Sequence, residues 1–174
     1  MEKLANQICP FCHKNALTLI EDQKDIPYFG KMYLFSMDCS SCKYNKADVE
    51  AVEQKEPSKY TITIDNEKDM TIRVIKSSTG AIKLPQLRLS ITPGPASIGY
   101  ISNIEGVLNR FEDIIKQERD DAEEPEIKKK CKNLLKKIWK IKLGDIPTRV
   151  IIEDPSGNSA IISNKAKAEK LKVK

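Results

Sequence analysis

The sequence predicts a mainly β protein in two parts: a four-cysteine zinc ribbon, then a larger β domain with an inserted helical hairpin. Three observations carry that expectation. Two Cys-x-x-Cys pairs, Cys9-Pro10-Phe11-Cys12 and Cys39-Ser40-Ser41-Cys42, lie in the first quarter of the 174 residues. Segments alternating between apolar and polar residues recur from Tyr60 onward and again from Thr148. Between them, residues 103–143 take apolar residues at intervals of three and four, the helical period.

The metal site comes first. Two residues between thiolates let one tight turn present both sulfurs to a single cation, and a second turn completes a tetrahedron. Four of the five cysteines fall into the two pairs, so Cys9, Cys12, Cys39 and Cys42 are the expected ligands of one structural Zn2+. Tetrahedral sulfur suits iron as well, and that alternative stays open at this point. A redox dithiol usually precedes a helix in a βαβ unit, which the pattern lacks. Two disulfides would need an oxidising compartment. His13, the only histidine, follows Cys12 and reads as a surface residue of the turn, not a ligand.

Residues 17–20, 32–38 and 43–52 read as the strands of the ribbon, which ends near residue 55 before the break at Glu56-Pro57. A ribbon this small cannot bury enough apolar surface alone, so the metal supplies most of its folding free energy. Its loop carries Ile26, Pro27, Tyr28 and Phe29. These either form a docking tip for a partner or fold back to cover the ribbon.

The β domain is expected over residues 56–164. Residues 60–64 and 70–75 flank a polar turn and read as a hairpin. Residues 82–84 and 87–91 are short strands interrupted by Pro85, and Thr92-Pro93-Gly94-Pro95 is a rigid turn. Ser102 and Glu105 form a capping box that opens a helix with Ile104, Val107, Leu108, Phe111, Ile114 and Ile115 on one face. After the acidic run broken by Pro125, a second helix presents Ile127, Cys131, Leu134, Leu135, Ile138 and Ile141, and Gly144 stops it. The chain then returns to strand at 148–152, turns at residues 154–159, and pairs back at 160–162. Residues 165–174, with five lysines, read as a basic tail or frayed helix.

Composition narrows the function classes. Charged residues make up 32% of the chain against 6% aromatic, and the net charge of +5 does not by itself demand nucleic acid. No apolar run is long enough to span a membrane, and the first residues lack the apolar core of a signal peptide, so a cytoplasmic protein with reduced thiols is expected. Lysines 128–130, 132, 136, 137, 140 and 142 form the one concentration of charge, either an RNA-binding face or a solvated helix surface. A lone histidine beside a saturated metal offers no acid–base pair, so no enzyme is expected.

With these segments in order, the chain resembles the ZPR-type zinc-finger family. The pieces are the first cysteine pair, Ile26-Pro27-Tyr28-Phe29 where the family has Ile-Pro-x-Phe, the run Ser36 to Cys39, and the Thr92-Pro93-Gly94 turn. They continue with Ser102-Asn103-Ile104-Glu105-Gly106-Val107-Leu108 and Asp154-Pro155-Ser156-Gly157-Asn158-Ser159. The resemblance implies a jelly-roll-like domain (a double-stranded β-helix) joined to the ribbon. This chain looks like a single-copy, archaeal-type form, where eukaryotic members carry two tandem modules. It implies a chaperone-like protein partner, elongation factor 1-alpha being the first candidate, with nucleic acid the alternative. Asp154, Gly157 and Asn158 read as turn formers that also present backbone to such a partner. The family usually has glycine after each cysteine pair, where this chain has His13 and Lys43. Either both take a left-handed conformation, at about 1 kcal/mol each, or the turn is reshaped.

Overall fold

The computed structural model describes residues 1–26, 30–53 and 55–172. Strands β1 (Glu2–Ile8), β2 (Asn15–Ile26), β3 (Gly30–Cys39) and β4 (Asn45–Ala51) form one antiparallel sheet in that order. The β2–β3 ladder runs unbroken from the Leu17–Cys39 pair to Ile26–Gly30. The metal turns therefore stand at one end of a long two-stranded arm, with β1 and β4 at its flanks. Strand β1 has no apolar alternation and is exposed along its whole length, so its sequence carried no strand signal. Its register slips between Leu4 and Gln7, around the left-handed Asn6 (φ 57°).

The second part contains β5 (Ser58–Ile64), β6 (Arg73–Lys76), β7 (Ala81–Leu84), β8 (Leu89–Ile91) and β9 (Tyr100–Asn103). Helices α1 (Ile104–Asp121) and α2 (Pro125–Lys142) follow, then β10 (Thr148–Asp154), β11 (Ala160–Ile162) and β12 (Lys167–Lys170). Five strands form an antiparallel sheet in the order β12-β5-β10-β7-β8, and β11-β6-β9 form another. Except for the β7–β8 hairpin, the chain changes sheet at each new strand. One core joins both sheets to both helices: Ile62, Ile64, Val74, Ile82, Leu84, Val150, Ile152 and Ile161 meet Leu108, Phe111, Cys131, Ile138 and Ile141. At roughly 1.5–3 kcal/mol for each large apolar side chain removed from water, this cluster is the main stabilising element of the domain.

The structure corrects four expectations. Strands β5 and β6 do not form a hairpin, because they belong to different sheets. The polar turn between them is a short 3-10 helix, Glu67–Thr71, capped by the Asn66 side chain accepting from the Asp69 amide at 3.2 Å, and it carries the chain across. Likewise β11 does not pair back on β10 but joins β6. The cap of α1 is Asn103, whose Oδ1 accepts from the Gly106 amide at 2.8 Å, while Ser102 still belongs to β9. Finally, the basic tail is partly ordered: β12 pairs with the outer side of β5.

The two parts meet along a seam. Met32, Val49 and Ala51 from the first sheet pack with Ile75, Ala160, Tyr60 and Ile162. The Asp48 carboxylate accepts the Gly99 amide at 2.8 Å. A Cβ at Gly99 would collide with the Val49 carbonyl, so glycine allows this close approach.

Candidate metal centre

Each cysteine pair forms the same turn. The amide after the pair, His13 or Lys43, donates to the carbonyl of the first cysteine, Cys9 or Cys39, at 2.9 and 3.0 Å. The amides of Cys9 and Cys39 in turn donate to Lys14 and Tyr44, at 3.0 and 2.8 Å. Closing the turn this way forces the residue after the pair into the left-handed region, and His13 (φ 56°) and Lys43 (φ 63°) both adopt it. The strained alternative is thus the one realised, and the turn is not reshaped. Phe11 and Tyr44 stack across the two turns with ring centroids 4.3 Å apart, while Leu17, Leu19 and Met37 pack beneath the sulfurs.

All four sulfurs lie within 4.8 Å of one another. The Cys9–Cys42 and Cys12–Cys39 sulfurs are each 3.7 Å apart. A tetrahedron with metal–sulfur bonds of about 2.3 Å has edges of about 3.8 Å. The spacing therefore fits one four-coordinate ion, and it is far too long for a disulfide, whose sulfurs sit about 2.0 Å apart. Cys131, the fifth cysteine, is buried in the β-domain core. The protonation pattern says the same. The Cys42 amide donating to its sulfur, together with the Ser41 amide and the Cys42 and Cys12 thiols, outweighs burial and brings Cys39 down to about 7. Cys42 moves the other way, up to about 12: the Tyr44 amide favours its thiolate, but burial and the three other sulfurs outweigh that. Without a cation the cluster cannot hold four negative charges at once, and a divalent ion removes that conflict. Zinc, when bound, ties the two turns together and adds its binding free energy to that of the fold.

The remaining candidate residues are dispersed. Pro27, Tyr28 and Phe29 lie outside the described residues, and for Ile26 the backbone alone is described, as the last residue of β2. Asp154, Gly157 and Asn158 sit in the β domain, where the inward-facing row Thr148, Val150, Ile152 of β10 ends in Asp154. Asp154 is fully buried. Its Oδ2 accepts from Ser77 and Ser159 hydroxyls at 2.7 and 2.6 Å, and its Oδ1 from the Thr79 hydroxyl at 2.6 Å and the Ser156 amide at 2.9 Å. Burial opposes ionisation, but the donors Ser159, Thr79, Ser77 and Ser156 prevail and hold the carboxyl below the usual carboxylate range.

The turn around Asp154 clasps the connection between the two parts. Gly157 (φ 69°) presses against the Glu56 carbonyl so closely that no Cβ fits, and the Lys55 amide donates to the Ser156 carbonyl at 3.0 Å. Asn158 is buried, and its Oδ1 has no partner among the described residues. The Asp-Pro-x-Gly-Asn string marked a turn in the sequence. Ser77 and Thr79, supplied by the distant segment after β6, carried no such signal. Lys76 was missed too. It is buried beside them, its ammonium donating to the Ser77 carbonyl at 2.9 Å and lying 5.6 Å from the Tyr100 ring, on which Arg110 stacks at 3.9 Å. Burial pushes the Lys76 ammonium down, the nearby Arg110 adding to this and Asp154 and Asp48 opposing it.

With this geometry in hand, comparison with known proteins is decisive. Residues 2–57 match the ZPR1 zinc-finger domain and residues 68–174 the ZPR1 jelly-roll domain. A ZPR1-like protein of Methanocaldococcus jannaschii is 40% identical over 170 residues, covering 97% of this chain and 86% of that protein. The chain belongs to the ZPR1 family. A second ZPR1-like protein, from Pyrococcus horikoshii, is 41% identical over 167 residues, 94% of this chain and 75% of the relative. The zinc finger chaperone zpr1 of Schizosaccharomyces pombe is 29% identical over 158 residues, 88% of this chain but 34% of that protein. This ZPR1-family chain thus spans about a third of its eukaryotic relative. The fold is mainly β, a four-cysteine module with a jelly-roll domain and a helical hairpin, and the four cysteines are positioned to bind one zinc ion.

Proposed function

We propose that this ZPR1-family chain is a zinc-organised, non-enzymatic and cytoplasmic protein-binding module that acts as a chaperone, with an elongation factor 1-alpha-type GTPase as its client. The observation that carries the reading is the four-sulfur cluster at the end of the β2–β3 arm. Four thiolates fill a tetrahedral metal and leave no position for water or substrate, so the ion serves shape and not chemistry. Around it the turns display a partly exposed aromatic pair, Phe11 on Tyr44, a suitable anchor for a protein surface. The fission yeast relative is named a zinc finger chaperone, which favours the same class. The client would be gripped transiently, as a folding intermediate or in one nucleotide state. In this reading Ile26, Pro27, Tyr28 and Phe29 add to the contact with the client, while Asp154, Gly157 and Asn158 act by fixing the connection to the β domain.

Affinity capture on the immobilised zinc-loaded chain, with mass spectrometry, tests this. Recovery of the GTPase, lost when the metal is chelated, is expected. Capture of other proteins but never that GTPase refutes the assignment of the client.

One observation favours a second reading. Lys128, Lys129, Lys130, Lys132, Lys136, Lys137 and Lys140 are exposed on α2, and none joins an ion pair among the described residues, while Trp139 stands 58% exposed between them. Such a face suits RNA phosphates with one stacking ring. Salt-dependent RNA binding, abolished by Lys136→Glu, Lys137→Glu and Lys140→Glu together, would establish it.

A further inference from the structure

The four-stranded sheet has two faces, and the β domain covers part of one. Met32, Val49 and Ala51 point into the seam. By register the other face is made of Leu4, Leu19 and Met37 in one cross-strand row, Glu2, Glu21, Phe35 and Asp48 in the next, and Tyr33 with Glu50 in a third. Tyr33 and Phe35 lean together along it, ring centroids 6.0 Å apart. Leu4 is 59% exposed. Two grooves flank the Phe35–Met37 ridge. One, of about 170 Å³, is walled by Leu4, Leu19 and Glu21, and the other, of about 220 Å³, by Lys46, Asp48 and Glu50.

The charge around this apolar strip is one-sided. Glu2, Glu21 and Glu50 are exposed and in no ion pair among the described residues, whereas the Asp48 carboxylate is engaged by the Gly99 amide, and Lys46 is the cation in these three rows. On a chain whose net charge is +5, an apolar ridge rimmed by unpaired acids is a local inversion of sign. Unneutralised carboxylates beside an open apolar surface select for a ligand that brings cations to the rim and apolar side chains to the ridge.

We propose that this face of the ribbon docks a basic amphipathic polypeptide segment of a client protein, its apolar side chains in the two grooves and its lysines or arginines against Glu2, Glu21 and Glu50. The proposal rests on the reading of the chain as a protein-binding module and adds the chemistry of what it binds. It concerns the sheet surface, which adjoins the metal turns through Leu19 and Met37 and is distinct from the lysine face of α2.

The test is a fluorescence-anisotropy titration of the zinc-loaded full chain with two labelled peptides of one pattern, leucine–lysine and leucine–glutamate. The leucine–lysine peptide is expected to bind at least tenfold tighter. Glu2→Lys, Glu21→Lys and Glu50→Lys together, all at exposed positions, should reverse that order, with zinc content and circular dichroism unchanged to show intact folding. Phe35→Ala should weaken the leucine–lysine peptide without altering the charge preference. Equal binding of the two peptides, or an unchanged preference after charge reversal, overturns the proposal. So does concentration-dependent self-association that Phe35→Ala abolishes, which would make a second copy the occupant. Capture of the GTPase is run in parallel. If wild type and the charge-reversed variant recover it equally, the face is wrong and the function stands. If neither recovers it, the client assignment is wrong, and the peptide titration still judges the face.

Discussion

Replacing Asp154 gives the sharpest measure of how this fold is tied together. Its carboxylate accepts from two hydroxyls at one oxygen and from two hydroxyls and an amide at the other, and of these donors Ser77 and Ser159 are buried while Thr79 is exposed. In Asp154→Asn the Oδ1 position keeps its donors. The new NH2 takes the place of Oδ2, and Ser77 and Ser159 can rotate their hydroxyls to accept from it. What is lost is the charge assistance of these bonds, about 2 kcal/mol in total. In Asp154→Ala the Ser156 amide and four hydroxyls lose their acceptor together, and about 4 kcal/mol is expected, since the buried Ser77 and Ser159 donors cost about 1–3 kcal/mol each when left bare and the more exposed ones turn to water or to one another. Urea unfolding of the zinc-loaded chain at neutral pH, followed by far-ultraviolet circular dichroism, gives both values. The sign of the pH dependence follows from the lowered carboxyl. A carboxyl whose folded value is depressed contributes stability above its unfolded value of about 4, and that contribution fades as pH falls through the folded value. The gap between wild type and Asp154→Asn should therefore be constant near neutrality and shrink below about pH 4. An Asp154→Ala cost under about 1 kcal/mol, or an Asn gap that widens in acid, would refute the reasoning.

Removing the metal should act on one part of the chain. With chelator, or with Cys39→Ser, the first sheet is expected to lose its ordered amide signals in NMR spectra while the core around Ile152 and Leu108 persists; zinc stoichiometry should drop from one per chain to none. His13→Gly and Lys43→Gly relieve the left-handed strain, and each should raise zinc affinity about fivefold in chelator competition, the equivalent of about 1 kcal/mol. Asn103→Ala removes the cap of α1 and should cost about 1 kcal/mol in the same urea assay, whereas Ser102→Ala should cost less, because Ser102 is not the capping residue.

What was legible in the sequence was what is decided locally. The spacing within each cysteine pair dictates the turn, and the left-handed positions at His13 and Lys43 follow from closing it. The helices were legible because Val107, Leu108, Phe111, Cys131, Ile138 and Ile141 repeat at the period of one buried face. Pairing was not. Alternation in residues 60–64 and 70–75 shows that one face of each strand is buried, but it cannot say which strand lies alongside, and the Asn66-capped helical turn sends β6 to the other sheet. The Asp154 turn was read correctly as a turn, yet two of its partners, Ser77 and Thr79, reach it through tertiary structure alone. The free face of the ribbon was hidden for a related reason: Leu4, Leu19, Phe35 and Glu50 come from four strands, and only their register makes them neighbours.

The lysine-rich strand β12 gives the C-terminal charges a second meaning. Lying along β5, with every residue exposed, it is the outermost ribbon of the five-stranded sheet and offers a fresh row of amides and carbonyls to any passing β-strand. Lys167 sets a charge on that rim and Lys170, paired with Glu56 at 3.0 Å, a charged side chain beside it, and charged groups on an edge strand discourage two molecules from zipping together edge to edge. Acetylating those amines would remove that charge and turn a guarded border into a seed for stacking.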